Sequence, residues 1–344
     1  MSFVVHIESS GREITVEPEE TVLDAALRQG VHLPYSCRGG LCGVCKATLL
    51  MGDVDYGPTT PSALSLEEQK VGMALLCRAI PRSDLHLQIR EVKQTQDIQV
   101  RILPCRLEKK ELLAPDVLRL FLRLPASDRL PFLPGQYIEF LLPNNRRRAF
   151  SLANTPHHDE LLELHVRHVS GGSFTTWLFQ ELSEKPLLRI QGPLGSFTFQ
   201  EDSERPAILM AGGTGFAPVK SILEYAFAEG IERPLHLYWG ARARCDLYLD
   251  ELPRLWMQQY SNFRYTPVLS APTAEDAWEG RTGLVHAAIA ADYPDLSRHE
   301  VYACGPPPMT AAGLDAFAAC GLPREYYYSD AFEYAKDSSG TVSA

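Results

Sequence analysis

Pro34 to Ala47 reads PYSCRGGLCGVCKA, with three cysteines inside nine residues and Gly39, Gly40 and Gly43 among them. Cys37, Cys42 and Cys45 follow a C-x4-C-x2-C spacing, and Cys77 stands on a later segment, LLCRAI. That is the plant-type [2Fe–2S] spacing. Four thiolates neutralise the iron charge, and glycines let backbone N–H groups approach the sulfurs, where hydrogen bonds tune the potential. Zinc is the competing reading, because Cys42-x2-Cys45 alone is a zinc-knuckle signal. Common zinc sites pair two such close-set units, and Cys77 has no near partner, so the spacing favours the cluster. Cys105, Cys245 and Cys320 lack any such context and read as small buried hydrophobes.

A chain of 344 residues suggests two or three domains. Its formal charge of -10, with no basic tract, argues against nucleic-acid binding, since phosphate contact needs clustered Lys and Arg. The start, MSFVVHIESSG, lacks the basic and apolar regions of a signal peptide. No stretch approaches the roughly 20 apolar residues that span a bilayer. A cytoplasmic chain with reduced thiols is the expectation, which disfavours a disulfide framework.

Three textures follow one another. In residues 1–92, FVVHI and EITVE alternate as a hairpin; TVLDAALRQG is a helix with a Thr21–Asp24 capping box; KATLLMGDV and LHLQI are strands and LSLEEQKVG a short helix. Polar Lys93 to Gln99 reads as a linker. Residues 100–202 hold strand-like runs, VRILPCRLEKKELL, VLRLFLRLP, QYIEFLLP, LLELHVRHV and LLRIQGPLGSF, with SFTTWLFQEL helical, the pattern of an antiparallel β-barrel. In residues 203–334, PAILMAGG, HLYWGA, FRYTPVLS and EVYACGP alternate with helical stretches, which implies an α/β parallel sheet. Residues 335–344 form a polar tail. The predicted fold is thus multidomain: a small α+β unit, an antiparallel barrel and a parallel-sheet domain.

The cysteine spacing and this domain order together carry a family resemblance. Residues 2–92 resemble a plant-type ferredoxin domain, a β-grasp fold with its cluster in an exposed loop, and the remainder resembles the ferredoxin–NADP reductase family. Together they resemble the single-chain reductases of bacterial ring-hydroxylating oxygenases and the related CDP-6-deoxyglucoseen reductases. The resemblance implies a [2Fe–2S] cluster on Cys37, Cys42, Cys45 and Cys77, FAD, and NADH or NADPH, in a monomer.

RRAFSLAN, Arg146 to Asn154, carries Arg148-x-Phe150-Ser151, similar to the family's flavin motif. Arg148 offers a fork of donors to a pyrophosphate, Phe150 a flat face to the isoalloxazine, and Ser151 a hydroxyl to the flavin N5 edge, with Ala149 between them. His165, Val166 and Arg167 line the flavin by the same resemblance, although a strand histidine is more often structural. In GGSFTTWL, Gly171 and Gly172 make a turn, Ser173 can cap, and the helix start faces an anion. AILMAGGTGFAPVKSIL is strand, glycine turn and helix, and matches the family's GGTG-x-x-P form at Gly212, Gly213, Thr214, Gly215 and Pro218. ACGPPPM resembles the segment in which Cys304 sits near the nicotinamide, with Gly305 and Pro306 shaping the turn; a buried strand-end thiol is an equal alternative. Arg242 would meet a 2′-phosphate and favour NADPH, whereas nearby Asp246 would favour NADH. In YYYSDAF, Phe332 is the candidate aromatic over the flavin and Asp330 a second residue near the transfer site; the alternative is an aromatic-rich edge strand.

Nicotinamide gives two electrons as hydride and a [2Fe–2S] cluster accepts one, so a flavin between them divides the pair. The expected activity is electron transfer from NAD(P)H through FAD and the cluster to a partner protein docking near the cluster loop. An oxygenase is the expected partner; a dehydrase or a cytochrome P450 is the alternative. A zinc-stabilised nucleotide-binding regulator is the reading from another class.

Overall fold

The computed structural model describes residues 2–58, 60–89, 92, 98–144, 146–181 and 186–332, with Glu181 described in its backbone alone. Most of the expected linker over 93–99 and all of the expected tail over 335–344 lie outside these residues. The chain divides into two compact units, one of residues 1–99 with 195–197 and 329–333, the other of the remainder.

In the first unit the elements are β1 (Phe3–Ile7), β2 (Arg12–Val16), α1 (Val22–Arg28), β3 (Lys46–Met51), β4 (Val54–Asp55), α2 (Leu66–Lys70), β5 (Met73–Leu75), β6 (Ile80–Pro81) and β7 (Leu85–Gln88). The sheet order is β2-β1-β7-β3-β5, with β1 and β7 parallel. Alternation sets the inner face: Val5, Ile7, Ile14, Val16, Leu85 and Leu87 are buried, while His6, Glu13 and His86 point outward. Thr21 caps α1 by accepting from Asp24 N, but its hydroxyl donates to Asp24 Oδ2 at 2.8 Å, so the expected box is only half made. A reciprocal box forms at α2 between Ser65 and Glu68.

The second unit opens with β8 (Arg101–Ala114), β9 (Val117–Arg123), β10 (Tyr137–Leu141), β11 (Arg147–Ser151), β12 (Leu162–Arg167), α3 (Ser173–Thr176) and β13 (Leu187–Leu194). These strands pair antiparallel in the order β11-β10-β13-β8-β9-β12, and a bridge between Leu152 and Leu164 joins the two ends into a barrel. Leu103, Leu120, Phe140, Leu164 and Ile190 fill it. Beyond α3 the helical run continues as a π-helical turn, Trp177–Glu181.

The parallel-sheet part comprises β14 (Ala207–Gly212), α4 (Phe216–Ala228), β15 (Leu235–Ala241), α5 (Glu251–Gln259), β16 (Phe263–Leu269), β17 (Arg281–Thr282), α6 (Val285–Asp292), β18 (Glu300–Gly305), α7 (Pro307–Ala319) and β19 (Tyr327–Ala331). The order is β17-β16-β15-β14-β18-β19, and the pairings from β17 through β18 are parallel. Every residue of β14 and β18 is buried, as strands covered on both faces must be. Strand order reverses at β14, whose chain neighbour β15 lies on one side and β18 on the other. A crevice at such a switch point, outside the carboxyl ends, is where open α/β sheets take ligands.

Candidate functional site

The loop between α1 and β3 carries Cys37, Cys42 and Cys45, Cys77 follows β5, and the four meet two by two. Cys42 donates its S–H to Cys37, which with the amides of Leu41, Cys42 and Gly39 holds the Cys37 thiol well below the usual thiol range against burial. The shared proton and burial push Cys42 up. Cys77 is likewise pushed up by its hydrogen bond with Cys45 and by burial, while the Gly40 amide favours its thiolate. Gly40 has φ +87°, and a Cβ there would lie 3.0 Å from Pro61 Cβ and 3.1 Å from Arg78 Cγ. Only glycine turns its amide on the sulfur in that space. Four thiols in two pairs, with amides aimed at them, fit a two-iron cluster with two thiolates on each iron.

Within the same unit Tyr35 N donates to Ser196 Oγ at 2.8 Å, and Gly195 N donates to Tyr35 Oη at 2.9 Å. Ser36 Oγ donates to Asp330 Oδ1 at 2.5 Å, and Asp330 is buried. Within YYYSDAF, Tyr327–Ala331 form the edge strand β19, and Phe332 follows it, half-buried. Nothing in the sequence pointed to the Tyr35–Ser196 or Ser36–Asp330 pairs, which join residues more than 160 positions apart.

The barrel offers β11. Arg148 and Phe150 stand on one face of the strand, both half-buried; Arg147 and Ala149 are exposed on the other, where Ser151 is buried. Phe150 packs edge-on to Phe140 at 5.7 Å and lies 6.0 Å from Phe174 on α3. The three arginines have separated. Arg147 pairs with Glu139 at 2.9 Å and with Gln191, and Arg146 Nη1 donates to Ser173 Oγ at 3.3 Å. Arg148 donates to Arg147 O at 2.8 Å. Gly172, not Ser173, is the N-cap of α3; Ser173 is the first helical residue, because Thr175 already ties the turn through Val169 N at 3.1 Å. Gly171, at φ +80°, has open space around it.

At the switch point, Gly212 and Gly213–Gly215 run from β14 into α4. A Cβ on Gly215 would stand 2.1 Å from Cys304 O, and one on Gly212 would stand 2.5 Å from Met309 Sδ and 2.9 Å from Pro306 Cδ. Gly305, with φ +146°, backs directly onto Gly212. Thr214 is buried, Pro218 is buried in the first turn of α4, and Cys304 is fully enclosed. The structure thus brings Gly212, Gly215, Cys304, Gly305 and Pro306 into one crossing.

Arg167, at the end of β12, reaches the same loop, 3.7 Å from a Cβ placed on Gly213. Its Nε and Nη2 are shut from solvent with no hydrogen-bond partner among the described residues, and the carboxylates of Asp116 and Asp246 stand off at 3.5 and 3.7 Å. A buried guanidinium with unused donors beside a helix-opening glycine loop fits a dinucleotide phosphate. Asp246 also accepts from Ala243 N at 3.1 Å, whereas Arg242, at the end of β15, is exposed.

Val166 is buried in the barrel core, and the side chain of His165 is wholly enclosed. His165 Nε2 meets Glu163 Oε1 at 2.9 Å and Nδ1 meets Tyr248 Oη at 3.0 Å. Burial lowers the pKa of His165, so the neutral ring donates from Nε2–H to Glu163 and accepts the Tyr248 hydroxyl at Nδ1. Lys220 on α4 completes the network, donating to Glu163 Oε2 at 3.2 Å, Glu224 Oε2 at 3.0 Å and Ala153 O at 3.0 Å. Burial pushes Glu163 up, but the His165 hydrogen bond and the Lys220 charge outweigh it and bring the carboxyl to about 2. Both ring nitrogens of His165 are committed to this seam between barrel and sheet. A lysine amid the apolar run APVKSIL was the one sequence signal for it.

A β-grasp sheet with a four-cysteine loop, an antiparallel barrel and a parallel sheet with a glycine crossing at its switch point define a flavin-dependent iron–sulfur reductase. The family comparisons agree. The 2Fe-2S iron-sulfur cluster binding domain matches residues 5–82, the oxidoreductase FAD-binding domain 104–199 and the oxidoreductase NAD-binding domain 209–313. CDP-6-deoxy-L-threo-D-glycero-4-hexulose-3-dehydrase reductase of Yersinia pestis is 40% identical over 96% of this chain and 99% of its own length. Reductase component 1 of terephthalate 1,2-dioxygenase from Comamonas sp is 36% identical over 96% of this chain and 98% of its own. The crystal structure of the Amycolatopsis cytochrome P450 reductase GcoB superposes with a TM-score of 0.78 at 36% identity, covering 96% of this chain and 98% of that one. The chain belongs to the single-chain reductase family with [2Fe–2S], FAD-binding and NAD-binding domains, and it is an electron-transfer oxidoreductase. No described helix is long and apolar enough to cross a membrane.

Proposed function

We propose that the chain takes electrons from NAD(P)H and delivers them singly, from its cluster loop, to a separate acceptor protein, acting as a cytoplasmic monomer. The gathering of four thiols under backbone amides, in one chain with a switch-point glycine crossing, carries this reading. Cys37, Cys42, Cys45 and Cys77 hold the cluster. Arg148, with the Gly171–Ser173 turn, holds the FAD phosphates; Phe150 flanks the ring system and the Ser151 hydroxyl addresses its N5 edge. His165, Val166 and Arg167 form the wall, the first two through their backbone and Arg167 through its unused donors toward a phosphate. Gly212, Gly213, Thr214, Gly215 and Pro218 seat the nicotinamide dinucleotide against Cys304, Gly305 and Pro306, and Arg242 lies on the adenosine side. Phe332 and Asp330 belong to the segment that governs nicotinamide access. When bound, the flavin supplies the division of a hydride pair into single electrons. The residues themselves bind, orient and exclude water; no general acid–base pair is needed.

The acceptor is an oxygenase component, as the name of the terephthalate 1,2-dioxygenase relative describes for that protein. A dehydrase acceptor is the second reading, favoured by the 40% identity with the Yersinia reductase. The electron path is tested with Cys42→Ser: NAD(P)H-driven ferricyanide reduction persists while cytochrome c reduction is lost. Equal loss of both activities would contradict the path. The acceptor is tested by coupling the purified chain to a terephthalate-type oxygenase component and to a hexulose dehydrase. NAD(P)H-dependent product in the first system supports the oxygenase reading; product only in the second replaces it with the dehydrase.

A further inference from the structure

The outer face of the first unit's sheet carries a cluster that the electron path does not use. On β1, His6 sits directly across from Glu13 on antiparallel β2 and from His86 on parallel β7. Glu8 is the residue just after β1, and its amide donates to Leu87 O at 2.9 Å, which pins the turn against β7. The intervening Val5, Ile7, Leu85 and Leu87 are buried in the core, so the pleat holds His6, Glu13 and His86 on the opposite, outward face.

The side chains converge. The His6 and His86 rings are 5.0 Å apart between centroids. His86 Nδ1 is 3.0 Å from Glu8 Oε1, and His6 Nδ1 is 3.6 Å from Glu13 Oε1. One ligand atom each from His6, Glu8 and His86 falls within 4.8 Å of the others. A surface ion pair needs one imidazole and one carboxylate; two imidazoles in register on adjacent strands, each with a carboxylate beside it, make a donor set. Donors on a tetrahedral zinc with bonds of about 2.0–2.2 Å stand about 3.4 Å apart. Closing to that distance requires movement of roughly an ångström in side chains whose strands stay fixed. Two imidazole nitrogens with carboxylate oxygen select borderline divalent ions such as Zn2+ or Cu2+ over Mg2+ and Ca2+, which take oxygen ligands.

We propose that His6, Glu8 and His86, with Glu13 at the margin, form a surface binding site for one borderline divalent transition-metal ion. This site is separate in chemistry and position from the four cysteines. Because its ligands come from β1, the residue that follows it, and β7, an ion there clips β1 to β7. It stabilises the unit by mass action, in proportion to its preference for the folded chain.

The test uses tag-free holoprotein with its cluster in place, titrated calorimetrically with Zn2+ while the visible bands are followed. One ion per chain is expected, with the bands unchanged and the melting temperature raised. His6→Ala and His86→Ala each weaken binding at least tenfold, and the double variant abolishes both binding and the thermal shift. With Cu2+ in the same protein, paramagnetic resonance shows splitting from two imidazole nitrogens, reduced to one in either single variant. Glu67→Gln, on α2, leaves all of this unchanged. Zinc binding that survives in the double variant, or that bleaches the visible bands, places the ion at the cysteines and overturns the proposal. Failure to saturate at millimolar Zn2+ does the same.

Discussion

Replacing Gly215 with alanine tests the nicotinamide crossing. A Cβ there would lie 2.1 Å from Cys304 O, 2.6 Å from Cys304 C and 3.0 Å from Gly305 N. Ordinary contact to a carbonyl oxygen is about 3.4 Å, so the two backbones must separate by roughly an ångström. Gly215 is buried in the turn that opens α4 and Cys304 in the end of β18, and the nearest atoms are backbone, not a side chain that could yield. Overpacking of this kind costs about 1–3 kcal/mol of stability. The larger effect falls on hydride delivery, because a displacement of about 1 Å lowers a positioned reaction by roughly a hundredfold. The assay is NAD(P)H-driven ferricyanide reduction, read as kcat/KM beside flavin and iron content. Gly215→Ala is expected to lose about two orders of magnitude in kcat/KM with both cofactors retained. Gly230→Ala, just past α4, is the comparison: it has the same class of residue, φ +67° and open space, so it costs only about 1 kcal/mol of backbone strain. A Gly215→Ala enzyme with wild-type kcat/KM would refute the assignment of this crossing to the dinucleotide.

Lys220→Met leaves the Glu163 carboxylate buried without its cation, and about 3–5 kcal/mol of stability is expected to be lost in denaturant melts. The double variant Lys220→Met/Glu163→Gln should recover much of that loss; no recovery would show that the network is not the cause. Glu163 titrates at about 2 in the fold against 4.5 for an ordinary glutamate, so its stabilisation is present above about pH 4.5 and is lost as pH falls toward 2. The stability gap between the parent and Glu163→Gln, on the order of 3 kcal/mol at neutral pH, should close over that window, and a gap that stays constant would contradict the assignment. Arg167→Met is expected to weaken nicotinamide or flavin binding at least tenfold with little change in melting temperature, since its Nε and Nη2 make no hydrogen bond among the described residues. Unchanged affinity for both would return Arg167 to a structural role.

Much of the architecture was legible because it rests on local rules. Cys37, Cys42 and Cys45 lie in one loop, so their spacing reports the cluster before any fold is known. Alternation in FVVHI and REITV, and the continuous apolar runs AILMAG and EVYACG, separate a one-face sheet from a doubly covered one. The glycines of GGTG announced a tight turn, but not that Gly215 abuts Cys304 O, a contact between that turn and a strand about 90 residues away. The seam of Lys220, Glu163, His165 and Tyr248 was hidden for the same reason: its members are unremarkable in their own segments and acquire meaning only when α4 docks on β12. Ser173 was misplaced by one position as a cap because Thr175, rather than the residue at the turn, supplies the closing hydroxyl. The two-residue strands β4, β6 and β17 are too short to leave a periodic signal.

One chain takes electrons in pairs from NAD(P)H and passes them on singly. The direct measurement is an anaerobic titration of the holoprotein with NAD(P)H, following the flavin and iron–sulfur bands together. Full reduction is predicted to consume about three electrons per chain, or about 1.5 equivalents of NAD(P)H, with both bands bleached. Reduction that ends at one equivalent with the iron–sulfur band intact would contradict the account.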